Sequence, residues 1–198
     1  KKIRLFGNWE SVYPIIIAGY HKFWLKQDKD SFRKLVEIIF KYHLRNKTIG
    51  KAPTTPYANK LRGIANGIVK KNMDIPSILK ELTNDDKIHV TEDRIRLEMN
   101  ERAFSSSQMA SVILQEIERV YDPDKKPGDD VTVEHIMPKS KKYWFDYIKK
   151  ENNLSTDTEV TEFHRDHKNY LGNQVLLPGK KNTAVSNKPL VDKKVVYA

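Results

Sequence analysis

The sequence predicts an α+β protein with a mainly helical domain over residues 1–121, a linker over 122–130 and a strand–strand–helix unit over 131–198. Three observations indicate this organisation. Apolar residues recur at the helical period between residues 12 and 120. The linker combines two prolines, a glycine and mixed charge, which suits an exposed turn. Short β-prone runs follow it.

Helical spacing defines four segments of the first domain. Pro14 suits the first turn of an early helix. Asp30 and Ser31 are cap candidates for a second helix, which Gly50 and Pro53 end. Residues 57–70 and 105–120 show the same periodicity, and their apolar faces are typical of a helical-bundle core.

The last unit contains two short strand candidates and one helix candidate. β-branched residues at 131–133 predict the first strand, and residues 174–177 predict the second. Residues 182–196 are expected to form a closing helix, bent or interrupted at Pro189.

Composition restricts the partner classes. The 198 residues carry 36 Lys and Arg against 26 Asp and Glu, a net charge of +10, and residues 1–80 alone hold 17 basic and 5 acidic side chains. This excess favours a polyanion such as nucleic acid, although a lysine-rich solvated surface explains it equally well. The absence of cysteine excludes disulfides and thiolate zinc sites and permits a cytoplasmic location. The longest aliphatic run, 15–18, is far shorter than the ~20 residues of a membrane span.

Four polar residues are the candidates for chemistry: Glu134, His135, Asn173 and Asn182. Phosphodiester hydrolysis requires a base for water and a hard cation for the phosphate charge. His135 is the predicted base because a neutral imidazole is available near neutral pH. Glu134 and Asn182 are predicted ligands of Mg²⁺ or Mn²⁺ through oxygen. Asn173 is expected to orient the histidine or to pin the hairpin; for both asparagines, turn or helix-cap chemistry is the alternative.

These residues belong to a longer pattern. VTVEHIMP at 131–138, YLGNQVLL at 170–177, Asn182, the pair at 186–187 and the lysines at 193–194 resemble an HNH nuclease motif. More narrowly, the pattern is similar to the C-terminal HNH domain of GmrSD-type restriction enzymes, which are type IV and modification-dependent. The match covers about 65 residues, and position 134 carries Glu where many HNH enzymes carry Asp.

The resemblance implies a ββα-metal (HNH) nuclease domain at 131–198. His135 and Asn173 would be the catalytic residues, with Glu134 and Asn182 at the metal. The implied activity is metal-dependent cleavage or nicking of foreign or modified double-stranded DNA in anti-phage restriction. The family also implies a ParB-like nucleotide-hydrolysing domain, on the same chain or a companion.

Several lysines lie beside the predicted site in sequence. Predicted contacts to the DNA backbone come from Lys139, Lys141, Lys142, Lys180 and Lys181, each of which could equally be a solvated surface residue. The aromatic residues at 143–145 are expected in the core rather than in a stacking surface. A second metal site at His164 and His167 is less favoured than a surface or DNA-contacting role.

A second class of function remains open. A non-catalytic nucleic-acid-binding module could retain the HNH scaffold, and it would bind DNA with a steep salt dependence but without turnover.

Overall fold

A computed structural model describes residues 9–84, 88, 90–124, 130–142 and 144–197. The chain forms two compact units that divide between Glu98 and Met99. This division lies before the linker predicted at 122–130, because the helix over Ser107–Tyr121 packs against both strands of the second unit. Residues 125–129 of that linker lie outside the described residues.

The first unit is helical. It contains α1 (Tyr13–Gly19), α2 (Lys29–Tyr42), α3 (Thr54–Lys70), α4 (Ile75–Thr83) and most of α5 (Glu92–Glu101). The π-helical turns Tyr20–Trp24 and His43–Ile49 continue α1 and α2.

The predicted helices of this unit are confirmed, with one change at a cap. Pro14 lies in the first turn of α1. The cap of α2 is Asp28, whose carboxylate accepts from the Ser31 amide at 3.0 Å, so the assignment of the cap to Asp30 or Ser31 is wrong. Buried apolar side chains from α1, α2, α3 and α4 form one core, including Ile15, Leu35 and Leu61, and the partly buried Ile95 of α5 packs against it.

The second unit combines helices with a two-stranded sheet. Its elements are α6 (Ser107–Tyr121), β1 (Val131–His135), α7 (Phe145–Glu151), α8 (Asp157–His167), β2 (Gln174–Pro178), α9 (Gly179–Val185) and α10 (Leu190–Tyr197). Met137, Trp144, Ile148 and Val160 form a small core, which confirms the core prediction for Trp144; Tyr143 lies outside the described residues.

The strands β1 and β2 pair antiparallel, with Glu134 opposite Val175 and His135 opposite Gln174. Both predicted strands are therefore confirmed. The order is strand, strand, helix, because α9 follows β2 directly, with α7 and α8 inserted between the strands. The expected closing helix is divided into α9 and α10, since Ser186 has φ 41° and ψ −135° and Pro189 follows it.

Within the ranges that the structure describes, no helix has both the length and the apolar composition needed to cross a bilayer.

Candidate functional site

Glu134 is a buried carboxylate whose partners come from helix α10. Its side chain is 7% exposed and that of Lys193 is 0% exposed. The Lys193 ammonium donates to Glu134 Oε1 and, at 2.8 Å, to the carbonyl oxygen of His135. The Tyr197 hydroxyl lies 3.4 Å from the same Oε1 and donates to it. Among the described residues, Glu134 Oε2 has no hydrogen-bond partner, so one carboxylate oxygen is open.

Asn182 lies against the face of β1 that carries Thr132 and Glu134. Its Nδ2 donates to Thr132 Oγ1 at 2.8 Å and to the carbonyl oxygen of Val133 at 3.2 Å. A carbonyl only accepts, so the nitrogen must face the strand and Oδ1 must point away from it. Asn182 lies inside α9 rather than at its start, and the helix-cap interpretation is therefore wrong.

The His135 side chain leaves β1 on the opposite face, because successive side chains of a strand alternate. It is 8% exposed and faces its cross-strand partner, with 3.4 Å between His135 Nε2 and Gln174 Nε2. The Gln174 amide nitrogen donates its two hydrogens to the carbonyls of Phe104 at 3.1 Å and Asn169 at 3.2 Å, which fix its orientation.

Burial lowers the pKa of His135 from the ordinary value of 6.5, and the positive charge of Lys139 lowers it further. A hydrogen bond to the Asn169 side chain acts in the opposite direction on this pKa. The imidazole is therefore neutral at neutral pH, which is the state that a general base requires.

Asn173 braces the loop that follows β1. Its Oδ1 accepts from the Met137 amide at 2.7 Å, and its Nδ2 donates to the carbonyls of Met137 at 2.9 Å and Lys168 at 2.8 Å. Its own carbonyl accepts from the Ile136 amide at 2.9 Å. These contacts are all to backbone, so the side chain holds the loop in place.

His164 fixes the same loop from helix α8. It is 5% exposed, and its Nε2 donates to the Pro138 carbonyl at 2.8 Å. The expected surface or DNA-contacting role of His164 is therefore wrong. The Nδ1 of His167 lies 2.7 Å from the Phe163 carbonyl, and its ring stacks on Phe163 with 4.0 Å between ring centres.

The structure thus brings Glu134 and Asn182 to one face of β1 and places the His135 ring on the other. Among the described residues, no hydrogen bond joins the His135 ring to the side chain of Glu134 or of Asn182. Glu134 and His135 are nevertheless the last two residues of the strand. A single phosphate group could therefore contact the side chains of both Glu134 and His135 only at the end of β1, where the two faces of the strand meet.

The open oxygens suit a hard divalent cation. Glu134 Oε2 and Asn182 Oδ1 are a carboxylate and a carboxamide oxygen, the donors that Mg²⁺ prefers, and Mg²⁺ usually keeps several waters besides. The part of the chain that the structure describes contains no group of three or more His, Asp or Glu side chains that could form a denser site. The fit is therefore to a sparse site completed by water and substrate.

The predicted DNA-contacting lysines lie at or near the surface. Lys139, Lys142 and Lys180 are exposed. The Lys141 ammonium donates to Thr161 Oγ1 at 2.6 Å, and that of Lys181 donates to the Val196 carbonyl at 3.4 Å. Their contacts with DNA stay predictions.

Three residues around the site were not singled out from sequence: Asn169, Gln174 and Tyr197. Lys193 belongs to the HNH-like sequence pattern, but its contact with Glu134 was not predicted. Lys193 and Tyr197 are four residues apart and so share one face of α10 with the half-buried Leu190. A lysine on the apolar face of a predicted helix is the signal that could have predicted the burial of Lys193.

Comparison with known proteins finds one protein family that matches this chain. A family model described as "GmrSD restriction endonucleases, C-terminal domain" matches residues 87–198, which is more than half of the chain. Searches of curated proteins and of solved structures find no match.

Proposed function

The chain belongs to the GmrSD restriction endonuclease family, whose C-terminal domain its residues 87–198 match, and from this premise we propose that it cleaves or nicks DNA as a metal-dependent HNH-type endonuclease. Family membership by itself indicates a nuclease of the restriction-endonuclease type. The HNH chemistry, the metal and the role against phage DNA are the finer parts of the proposal.

One observation carries the proposal. A strand–strand–helix unit presents an unengaged carboxylate oxygen of Glu134 and an unengaged amide oxygen of Asn182 on one face of β1, and a neutral histidine follows Glu134 as the last residue of the strand. Hydrolysis of a phosphodiester needs this combination of hard oxygen donors and a base.

Each residue has a defined part in the proposed reaction. His135 accepts a proton from the attacking water at a ring nitrogen. Glu134 and Asn182 would hold Mg²⁺ or Mn²⁺ through Oε2 and Oδ1. When bound, the cation supplies positive charge for the scissile phosphate. Asn173 holds the loop after His135 and so fixes the strand end.

The wider assignment follows from charge and family. Foreign or modified double-stranded DNA is the proposed substrate, and Lys139, Lys141, Lys142, Lys180 and Lys181 would contact its backbone. The basic first 80 residues, with 17 basic and 5 acidic side chains, would help to hold the duplex. A ParB-like nucleotide-hydrolysing domain, on this chain or a companion, is the proposed partner.

Plasmid cleavage in Mg²⁺ or Mn²⁺ tests the proposal. The parent should convert supercoiled plasmid to nicked or linear forms, and EDTA should stop the reaction. His135→Ala should cut at least ~100-fold more slowly, because general-base catalysis contributes about 10²–10⁴-fold. His21→Ala, an exposed histidine of the first unit, is the matched control. Cutting by His135→Ala at the parental rate would remove His135 as the base.

The second candidate is a nucleic-acid-binding module without turnover. It is favoured by the position of the His135 ring on the face opposite Glu134 and Asn182. Steeply salt-dependent DNA binding, with no cleavage by the parent in either metal, would establish this candidate in place of the nuclease.

A further inference from the structure

Lys193 is the fully buried lysine at the proposed site. Lysine is almost never fully buried unless it is paired, because removing an ammonium from water is costly. Here the cost is offset by two contacts, to Glu134 Oε1 and to the His135 carbonyl oxygen. The ammonium therefore touches both of the residues that end β1.

We propose that Lys193 is a positioning residue of the nuclease site, an inference that rests on the proposed function. Its ammonium holds Glu134 by one carboxylate oxygen, which leaves Oε2 as the oxygen for the cation. Through the His135 carbonyl it also fixes the backbone that carries the base. Lys193 thus acts through Glu134 and His135 and touches no substrate.

The geometry requires a partner for Glu134 in this place. A buried carboxylate without its counter-charge would turn towards water, and the turn would carry Oε2 out of its present place. Tyr197 cannot substitute for the lysine, because its hydroxyl is neutral and lies 3.4 Å from Oε1. The neighbouring Lys194 is exposed and offers a matched control for loss of a lysine charge.

The test compares Lys193→Met with Lys194→Met in the full chain, with steady-state plasmid cleavage as the assay. Lys193→Met keeps an unbranched side chain but removes the ammonium. It should lower kcat by about 100-fold, the cost of misplacing a catalytic group by about 1 Å, with KM for DNA within about twofold. Lys194→Met should leave kcat within about twofold of the parent. Circular dichroism at the assay temperature confirms that each variant is folded.

A double-mutant cycle separates positioning from general stability. If Lys193 acts chiefly through Glu134, then in the Glu134→Gln background Lys193→Met should cost no more than about threefold in kcat. A purely structural role would lower kcat equally in both backgrounds, and that result would overturn the inference. The cycle is measured at high enzyme concentration so that the weak activity of Glu134→Gln is quantified.

The outcomes distinguish this inference from the proposed function. A parent that cleaves no plasmid with either metal refutes the nuclease, and the role of Lys193 falls with it. A parent that cleaves, with Lys193→Met cleaving as fast, refutes only the role of Lys193. The positioning role of Lys193 is supported if Lys193→Met loses activity, Lys194→Met keeps the parental kcat, and the double-mutant cycle is non-additive.

Discussion

Replacing Asn173 by alanine tests whether the loop after β1 depends on one side chain. The substitution removes three hydrogen bonds, one accepted from the Met137 amide and two donated to the carbonyls of Met137 and Lys168. At a net ~1 kcal/mol each, their loss amounts to about 3 kcal/mol. Asn173 is only half-buried, and water can replace part of this, so we expect a loss of about 2–3 kcal/mol.

The assay is hydrogen exchange at the Met137 amide, which loses its acceptor in this variant. A loss of about 2–3 kcal/mol corresponds to exchange faster by about 30- to 150-fold. Asn173→Asp should not restore protection, because its carboxylate oxygen would face the two carbonyls that the amide nitrogen now binds.

Asn187→Ala provides the matched control, since Asn187 is exposed in the same unit. It should leave Met137 exchange unchanged. If Asn173→Ala accelerated exchange at Met137 no more than Asn187→Ala does, the side chain would not be the brace described here. The loop would then be held by its backbone contacts and by His164.

Three further predictions concern pH and backbone geometry. Burial lowers the pKa of His135, so this side chain is harder to protonate in the folded chain than in the unfolded chain. The free energy of unfolding of the second unit, measured in EDTA, should therefore fall as the pH drops from 6.5 through the folded pKa. A series of denaturant titrations at different pH values should show this dependence in the parent and not in His135→Ala. Gly19→Ala should destabilise the first unit by about 1–3 kcal/mol, since the new Cβ would lie 2.1 Å from Leu35 Cδ2. Gly63→Ala should stabilise the same unit by up to about 1 kcal/mol, because its Cβ would meet no neighbouring segment within 4 Å. Equal shifts of the melting temperature in the two variants would contradict the packing argument. Ser186→Gly should raise stability by about 1 kcal/mol because φ 41° with ψ −135° is unfavourable for a side chain, and an unchanged melting temperature would count against strain at this position.

Local patterns predicted most elements because the forces that form them act over a few residues. Apolar periodicity identified α3 and α6, and β-branched residues identified β1. The division at Glu98 and Met99 was not predictable in this way, since it depends on α6 packing against strands that lie later in the chain. Turn-rich composition at 122–130 marks a local break and does not indicate which elements pack together.

The candidate site shows the same limit. The residue types at 134, 135, 173 and 182 identified the site region, but Asn173 could be expected either to orient the histidine or to pin the hairpin. Its contacts with the Met137 backbone fit the second alternative, and its part in catalysis stays a prediction. The surface or DNA-contacting role predicted for His164 is wrong because residue type and spacing give no indication of the Pro138 carbonyl that this side chain meets.

The sequence alone determined the order of strands and helix, the basic character of the first 80 residues and the family pattern, because each is written in residue type and spacing. Only the tertiary structure decided which polar atoms are engaged. The packing of α9 placed Asn182 against the face of β1 that carries Glu134, and the docking of α10 buried Lys193 against Glu134. Both results depend on contacts between residues as many as 59 positions apart, which local patterns do not encode.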